Sequence, residues 1–245
     1  MREWKAINRA GLDAGSSRMR RFKSDIPPNV VEQITREFRR DGSAIFHRLT
    51  VCVLNGEVVG QRAYGEEGQL VTETPLRKGS KHGREYQWRN DGRLSLIEQY
   101  VNGKIHGTAR QYGRHGTVIG TYSLRHGTGY DIWREESEDG AINISEIHTL
   151  RGGLPHGYEW WLTTNPHIVW HELHWHEGRY HGIERQWNAA NRLSRGFPQY
   201  WINGDRVAKR TYLRAAKKDL SLPPFRLKDN SPRRRFPSAI EQLFS

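Results

Sequence analysis

The sequence predicts an all-β protein: one elongated antiparallel single-sheet array of β-hairpin repeats, closed by a short C-terminal helix. Three observations carry this. First, the phrase Asn102-Gly103-Lys104-Ile105-His106-Gly107, followed by Tyr112, returns at Gly79-Ser80-Lys81-His82-Gly83 with Trp88, at Gly153-Leu154-Pro155-His156-Gly157 with Trp161, and at Gly178-Arg179-Tyr180-His181-Gly182 with Trp187. Self-similarity at a fixed period marks repeat architecture. Second, the period is about 25 residues, too short for a strand–helix–strand unit. Third, apart from an ambiguous stretch at 29–40, no segment before residue 207 has clear helical periodicity.

Composition narrows the class further. Of the 245 residues, 35% are apolar, and the mean hydropathy is −0.85, too polar for a thick core. The 9 Trp and 10 Tyr argue against disorder, since each aromatic buries a large area in a thin structure. A single cysteine, Cys52, excludes an intrachain disulfide. No run of about 20 apolar residues and no apolar signal-peptide core occurs, so the expected location is cytoplasmic. The net charge is +12, but it sits at the ends. Residues 1–25 hold seven Lys/Arg against three Asp/Glu, and residues 205–245 hold eleven against four. The middle carries 21 against 20, so a basic groove along the array is not expected.

In chain order, residues 1–26 are polar and basic and are expected to be a disordered segment. Pro27-Pro28 opens the array, assigned to 27–206. Val30, Val31, Ile34 and Phe38 fit a helix face, while Ile34 and Phe38 also fit a strand. Strand is favoured, because Phe38 stands four residues before Asp41-Gly42, as Trp88 stands four before Gly92. Residues 44–54 are rich in β-formers and end at Asn55-Gly56, a strong hairpin signal. Alignment on the turn gives Gly56, Gly79, Gly103, Ser123, Gly153, Gly178 and Gly204, with gaps of 23, 24, 20, 30, 25 and 26. A second glycine follows at Gly60, Gly83, Gly107, Gly127, Gly157 and Gly182. Histidine precedes five of these, as His82, His106, His126, His156 and His181. An aromatic comes next: Tyr64, Trp88, Tyr112, Trp133, Trp161 and Trp187. Further turns are expected at Gly68, Gly92, Gly116, Gly140 and Asn191. Single hairpins cannot bury a face alone, so the units must stack side by side. Residues 207–222 read as a capping helix contacting the array through Val207, Leu213, Ala215 and Ala216. Residues 223–245 read as an exposed basic tail rich in Pro, with Ile240, Leu243 and Phe244 as a docking face.

The motif Asn-Gly-Lys-Ile-His-Gly with an aromatic five residues on resembles the MORN repeat, and more closely the variant found in the bacterial YwqK-type antitoxin family. Residues 55–204, about 60% of the chain, carry the resemblance. It implies an array of MORN-like hairpins and an antitoxin-like or immunity-like role, in which the array covers a partner toxin.

No residue constellation points to catalysis, and no catalytic residue or cofactor is assigned. The chain has no Gly-x-Ser-x-Gly elbow and no P-loop. Equivalent histidines two strands apart stand roughly 9–10 Å from one another, too far to share a metal. They are expected to cap turns and to pack beside the aromatic of their own unit. His167, His171, His174 and His176 form a denser cluster, in which His174 and His176 share a strand face; no metal site is assigned there. The expected partner is another protein, met by Arg84, Tyr86, Arg110 and Arg185 on the face opposite the aromatic ladder. An alternative is nucleic acid or anionic lipid bound through the basic ends. Arg20, Arg21, Lys217, Lys218, Arg233, Arg234 and Arg235 are the candidate phosphate contacts.

Overall fold

A computed structural model describes residues 22–40 and 44–244. Among the described residues, eighteen strands form one sheet. They are β1 (Val31–Arg40), β2 (Ala44–Leu54), β3 (Glu57–Tyr64), β4 (Leu70–Arg77), β5 (Ser80–Lys81), β6 (Gly83–Trp88), β7 (Leu94–Val101), β8 (Lys104–Ile105) and β9 (Gly107–Tyr112). They continue as β10 (Val118–Arg125), β11 (Thr128–Glu136), β12 (Ile142–Arg151), β13 (Leu154–Leu162), β14 (Val169–His176), β15 (Arg179–Tyr180), β16 (Gly182–Gln186), β17 (Gln199–Ile202) and β18 (Asp205–Val207). Every pairing is antiparallel and joins near neighbours in sequence, so the sheet is a meander. β5, β8 and β15 are two-residue leaders of β6, β9 and β16, set off from them by His82, His106 and His181. The sheet therefore has fifteen rungs, about 67 Å measured along it at ~4.8 Å per step. The ambiguous stretch at 29–40 resolves as strand, paired to β2.

Two kinds of turn alternate. At one rim, Asn55, Lys78, Asn102, His126, Glu177 and Asn203 have φ between 48° and 51°, and each precedes a glycine of positive φ. This is the type I′ geometry that matches strand twist. At the other rim, Gly68, Gly92, Gly116 and Gly140 close longer turns in the left-handed conformation. There Asp91 and Asp139 accept hydrogen bonds from the backbone N–H two residues on, of Arg93 and Ala141.

The rim turns correct the repeat register. Ser123 lies inside β10 and is no turn residue. The turn is His126-Gly127, so His126 and Gly127 occupy the places of Asn102 and Gly103. Aligned on Gly56, Gly79, Gly103, Gly127, Gly153, Gly178 and Gly204, the gaps become 23, 24, 24, 26, 25 and 26. The irregular pair disappears.

The described segments that flank the sheet lie back on it. Residues 22–26, expected to be disordered, pack over β3 to β6: Ile26 is buried, and Phe22 meets Tyr86 and Trp88 edge-on. Residues 1–21 lie outside the described residues, and with them Arg20 and Arg21. At the other end, α1 (Lys209–Ala215) is shorter than 207–222. Its inward residue is Tyr212, fully buried with Ile183, Tyr200 and Leu222, while Leu213 faces outward. The tail is not free either. A 3-10 turn (Leu227–Asn230) leads to an extended segment that bridges Ile168 at Arg233, and then to α2 (Ser238–Glu241). Phe236 and Ile240 enter the main core with Trp160, Leu162, Val169 and Trp187. Each such apolar side chain contributes about 1.5–3 kcal/mol when fully buried.

Candidate functional site

The histidine column is a set of clamps between units. Nδ1 of His82, His106, His156 and His181 accepts a hydrogen bond from the backbone N–H of Asn102, His126, Glu177 and Asn203, at 3.4, 3.1, 3.4 and 3.1 Å. Each donor opens the turn of the next unit, so the histidine caps its neighbour's turn and not its own. The following glycine completes the dock. Gly103, Gly127, Gly178 and Gly204 donate to the carbonyls of Lys81, Ile105, Pro155 and Tyr180 at 2.7–2.9 Å. In the unit opened by Gly127, which lacks this histidine, Thr128 Oγ1 takes its part and accepts from Gly152 N–H at 2.9 Å. A ring that accepts at Nδ1 is the Nε2–H tautomer, and is neutral.

This geometry overturns the 9–10 Å spacing for one pair. The rings of His106 and His126 lie 4.2 Å apart, because His126 belongs to the docked turn. His176 sits between His156 and His181 at 4.9 and 5.3 Å. Burial, with the neighbouring His176, pulls the His156 pKa down. Burial also pulls His181 down, against Asp219. His181 turns Nε2 to Ser221 Oγ at 3.0 Å and to Asp219 Oδ2 at 3.4 Å. Because its Nδ1 accepts from Asn203, Nε2 carries the proton and donates it. The ring ties the loop after α1 to the sheet and is not poised as a base toward Ser221.

The denser cluster is spread among separate contacts. His167 packs on Phe244 and lies 3.8 Å from Glu241. His171 stacks on Trp161 and meets Glu184 at 3.0 Å. His174 donates from Nδ1 to His181 O at 2.6 Å, and its burial lowers its pKa. Among the described residues, no group of three or more His, Cys, Asp or Glu is placed to hold a metal ion. His148 is the exception in sign. Burial opposes its charge, but the flanking Glu159 and Glu146 carboxylates outweigh that and raise its pKa. The Cys52 thiol is buried and pushed up to about 11.

The four candidate partner residues divide. Arg84, Tyr86, Arg110 and Arg185 share strand parity with Trp88, Tyr112 and Trp187, so they stand on the face of those three aromatics and not opposite it; the expected ladder is itself split, because Trp133 and Trp161, both in register with Glu146, fall on the other face. Tyr86 is buried beneath Phe22 and donates to Lys23 O at 3.1 Å. Arg84 pairs with Asp25, and the guanidinium holds that carboxyl below its usual range. Arg185 is buried against Glu172 at 2.9 Å. Only Arg110 is exposed and unpaired among the described residues. It lies in register with Ile97 and Thr121, beside exposed Gln99, Thr108 and Ser123.

The candidate phosphate contacts divide as well. Lys217, Lys218, Arg233 and Arg235 are exposed. Arg234 instead reaches Glu172 at 2.6 and 3.0 Å and lies over the Trp187 ring. A buried carboxylate needs such partners, yet Glu172 gives no local sign in sequence of one 62 residues away. No helix among the described residues is long and apolar enough to cross a membrane. Compared with models of known protein families and with curated proteins, the chain matches none. The fold is a repeat-based β scaffold.

Proposed function

We propose that the chain acts by binding and not by catalysis, as an antitoxin-like or immunity-like scaffold that meets another protein. One observation carries the reading. Across β7, β9 and β10 the sheet presents Gln99, Thr108, Arg110, Thr121 and Ser123 to solvent, between the region under residues 22–26 and the region under the C-terminal segment. Arg110 stands on a strand with neighbours on both sides, so its backbone position is fixed before a partner arrives. Arginine held this way is favoured at binding hot spots. The motif-level likeness to the YwqK-type antitoxin variant supports a protein partner, with a toxin encoded nearby as the first choice.

The test is stoichiometric co-purification with the product of a neighbouring reading frame. Arg110→Glu in the full chain should weaken capture at least tenfold, from loss of about 1.4 kcal/mol or more. Arg235→Glu in the tail should not. Loss of capture by the tail variant, with the Arg110 variant unaffected, would overturn the reading.

A further inference from the structure

α1 has a second face that the fold does not use. Tyr212, Ala215 and Ala216 point into the core around Tyr200. Beside them, Lys209, Arg210, Leu213 and Arg214 of α1 and Lys217 just beyond it line one shallow concavity together with Ala216, Pro224 and Phe225. All four cations are exposed, and none pairs with a carboxylate among the described residues. Asp219, two residues past Lys217, accepts hydrogen bonds from Ser221 and faces His181, with its side chain still 44% exposed. Lys209 rests its ammonium 4.1 Å over the Phe225 ring.

The apolar residues of this region are as informative as the cations. Leu213, in the middle of the stripe, is 36% exposed; Leu220, three residues past Lys217, is 97% exposed; Leu227, two past Phe225, is 75% exposed. A leucine almost wholly in water contributes nothing to the fold. Leucines set among lysines and arginines match the boundary between headgroups and acyl chains, where cations meet phosphate and leucines insert. A nucleic-acid duplex rewards the cations and gives the leucines nothing.

We infer that the α1 face, with Leu220 at its margin, is a peripheral docking patch for an anionic lipid surface. It is separate from the Arg110 strip, so the scaffold can hold a protein partner and rest on a bilayer at once. The patch carries point charges and no buried polar group, so it reads surface charge and not one headgroup.

Full-length protein would be sedimented with vesicles of phosphatidylcholine alone and with 30% phosphatidylserine. Binding should require the anionic lipid and fall with added salt. Arg210→Glu combined with Lys217→Glu should reduce partitioning by about 30-fold or more, since each cation near an anionic surface is worth about fivefold. Leu220→Ser, at a fully exposed site, should reduce it several-fold without altering the thermal melt. Arg110→Glu should leave it unchanged. Equal binding to neutral vesicles would overturn the inference. So would full retention in the double variant, loss on Arg20→Gln with Arg21→Gln alone, or tighter capture of a 20-base-pair duplex by the same face.

Discussion

His181 tests the clamp most sharply. Its ring is almost completely buried, and both nitrogens are engaged, by Asn203 N–H at 3.1 Å and by Ser221 Oγ at 3.0 Å. His181→Ala leaves the Asn203 donor without its acceptor, a loss of about 1–3 kcal/mol. The Ser221 contact is worth about 1 kcal/mol more, and the space left by the ring adds a packing loss. The expected total is about 3–4 kcal/mol, or a fall in Tm of roughly 6–16 °C for a chain of this size. His106→Ala removes the same kind of bond at an exposed turn, at 3.1 Å, and should cost only about 1 kcal/mol. Urea unfolding followed by tryptophan fluorescence, at pH 7.5 and again at pH 5, measures both. The folded state holds His181 neutral, with its pKa lowered by burial. The clamp's contribution is therefore complete above the unfolded value of about 6.5 and is lost as pH falls through the lowered folded value. The gap between wild type and His181→Ala should thus shrink at pH 5. A gap that widens on acidification, or a His181→Ala loss smaller than that of His106→Ala, would refute the clamp.

Other expectations follow from the same geometry. Glu172→Ala removes the carboxylate shared by Arg185 and Arg234; stranding a buried guanidinium should cost about 3–5 kcal/mol, read by the same unfolding curve. Gly127→Ala combines positive φ with a Cβ that collides with the Gly153 backbone nitrogen, and should destabilise by more than about 1 kcal/mol. Glu177 holds φ 48° in a turn where Asn55, Asn102 and Asn203 do so with less strain; Glu177→Asn should raise stability by about 0.5–1 kcal/mol in a thermal melt. Asp25→Ala breaks a surface pair with Arg84 and should cost less than about 1 kcal/mol, with a smaller effect in high salt.

The sheet itself was legible because its turns write their geometry into the chain. Asn-Gly demands two residues of positive φ, and the glycines recur at a steady interval. Around residue 125 the same logic misleads. The opening position of a type I′ turn accepts Lys78, His126 or Glu177 at modest strain, so His126-Gly127 imitates the His-Gly of the clamp. The face assignment failed on parity: Arg84, Tyr86 and Trp88 alternate with Glu85 and Gln87, which puts the arginine and the tyrosine on the aromatic side. The tail failed for a different reason. A run of three arginines reads as a solvated segment, and nothing nearby shows that Arg234 ends on Glu172 while Arg233 and Arg235 do not. The clamp was hidden because its two halves lie 20 to 22 residues apart, one of them a backbone N–H that no side-chain pattern can report.

The clamp also sets what kinds of length change the chain tolerates. The turns at Asn102, His126, Glu177 and Asn203 are each held by one imidazole and one carbonyl of the preceding unit, and by no feature particular to their place in the series. A whole unit of 24 to 26 residues can be spliced in or removed, because the new turn finds the same acceptor and offers the same one onward. One residue inserted between Gly103 and His106 would swing the imidazole away from the His126 N–H and reverse every side chain of β9. The array is thus permissive in steps of a unit and intolerant in steps of a residue, like a zip fastener that can gain teeth but cannot skip half of one.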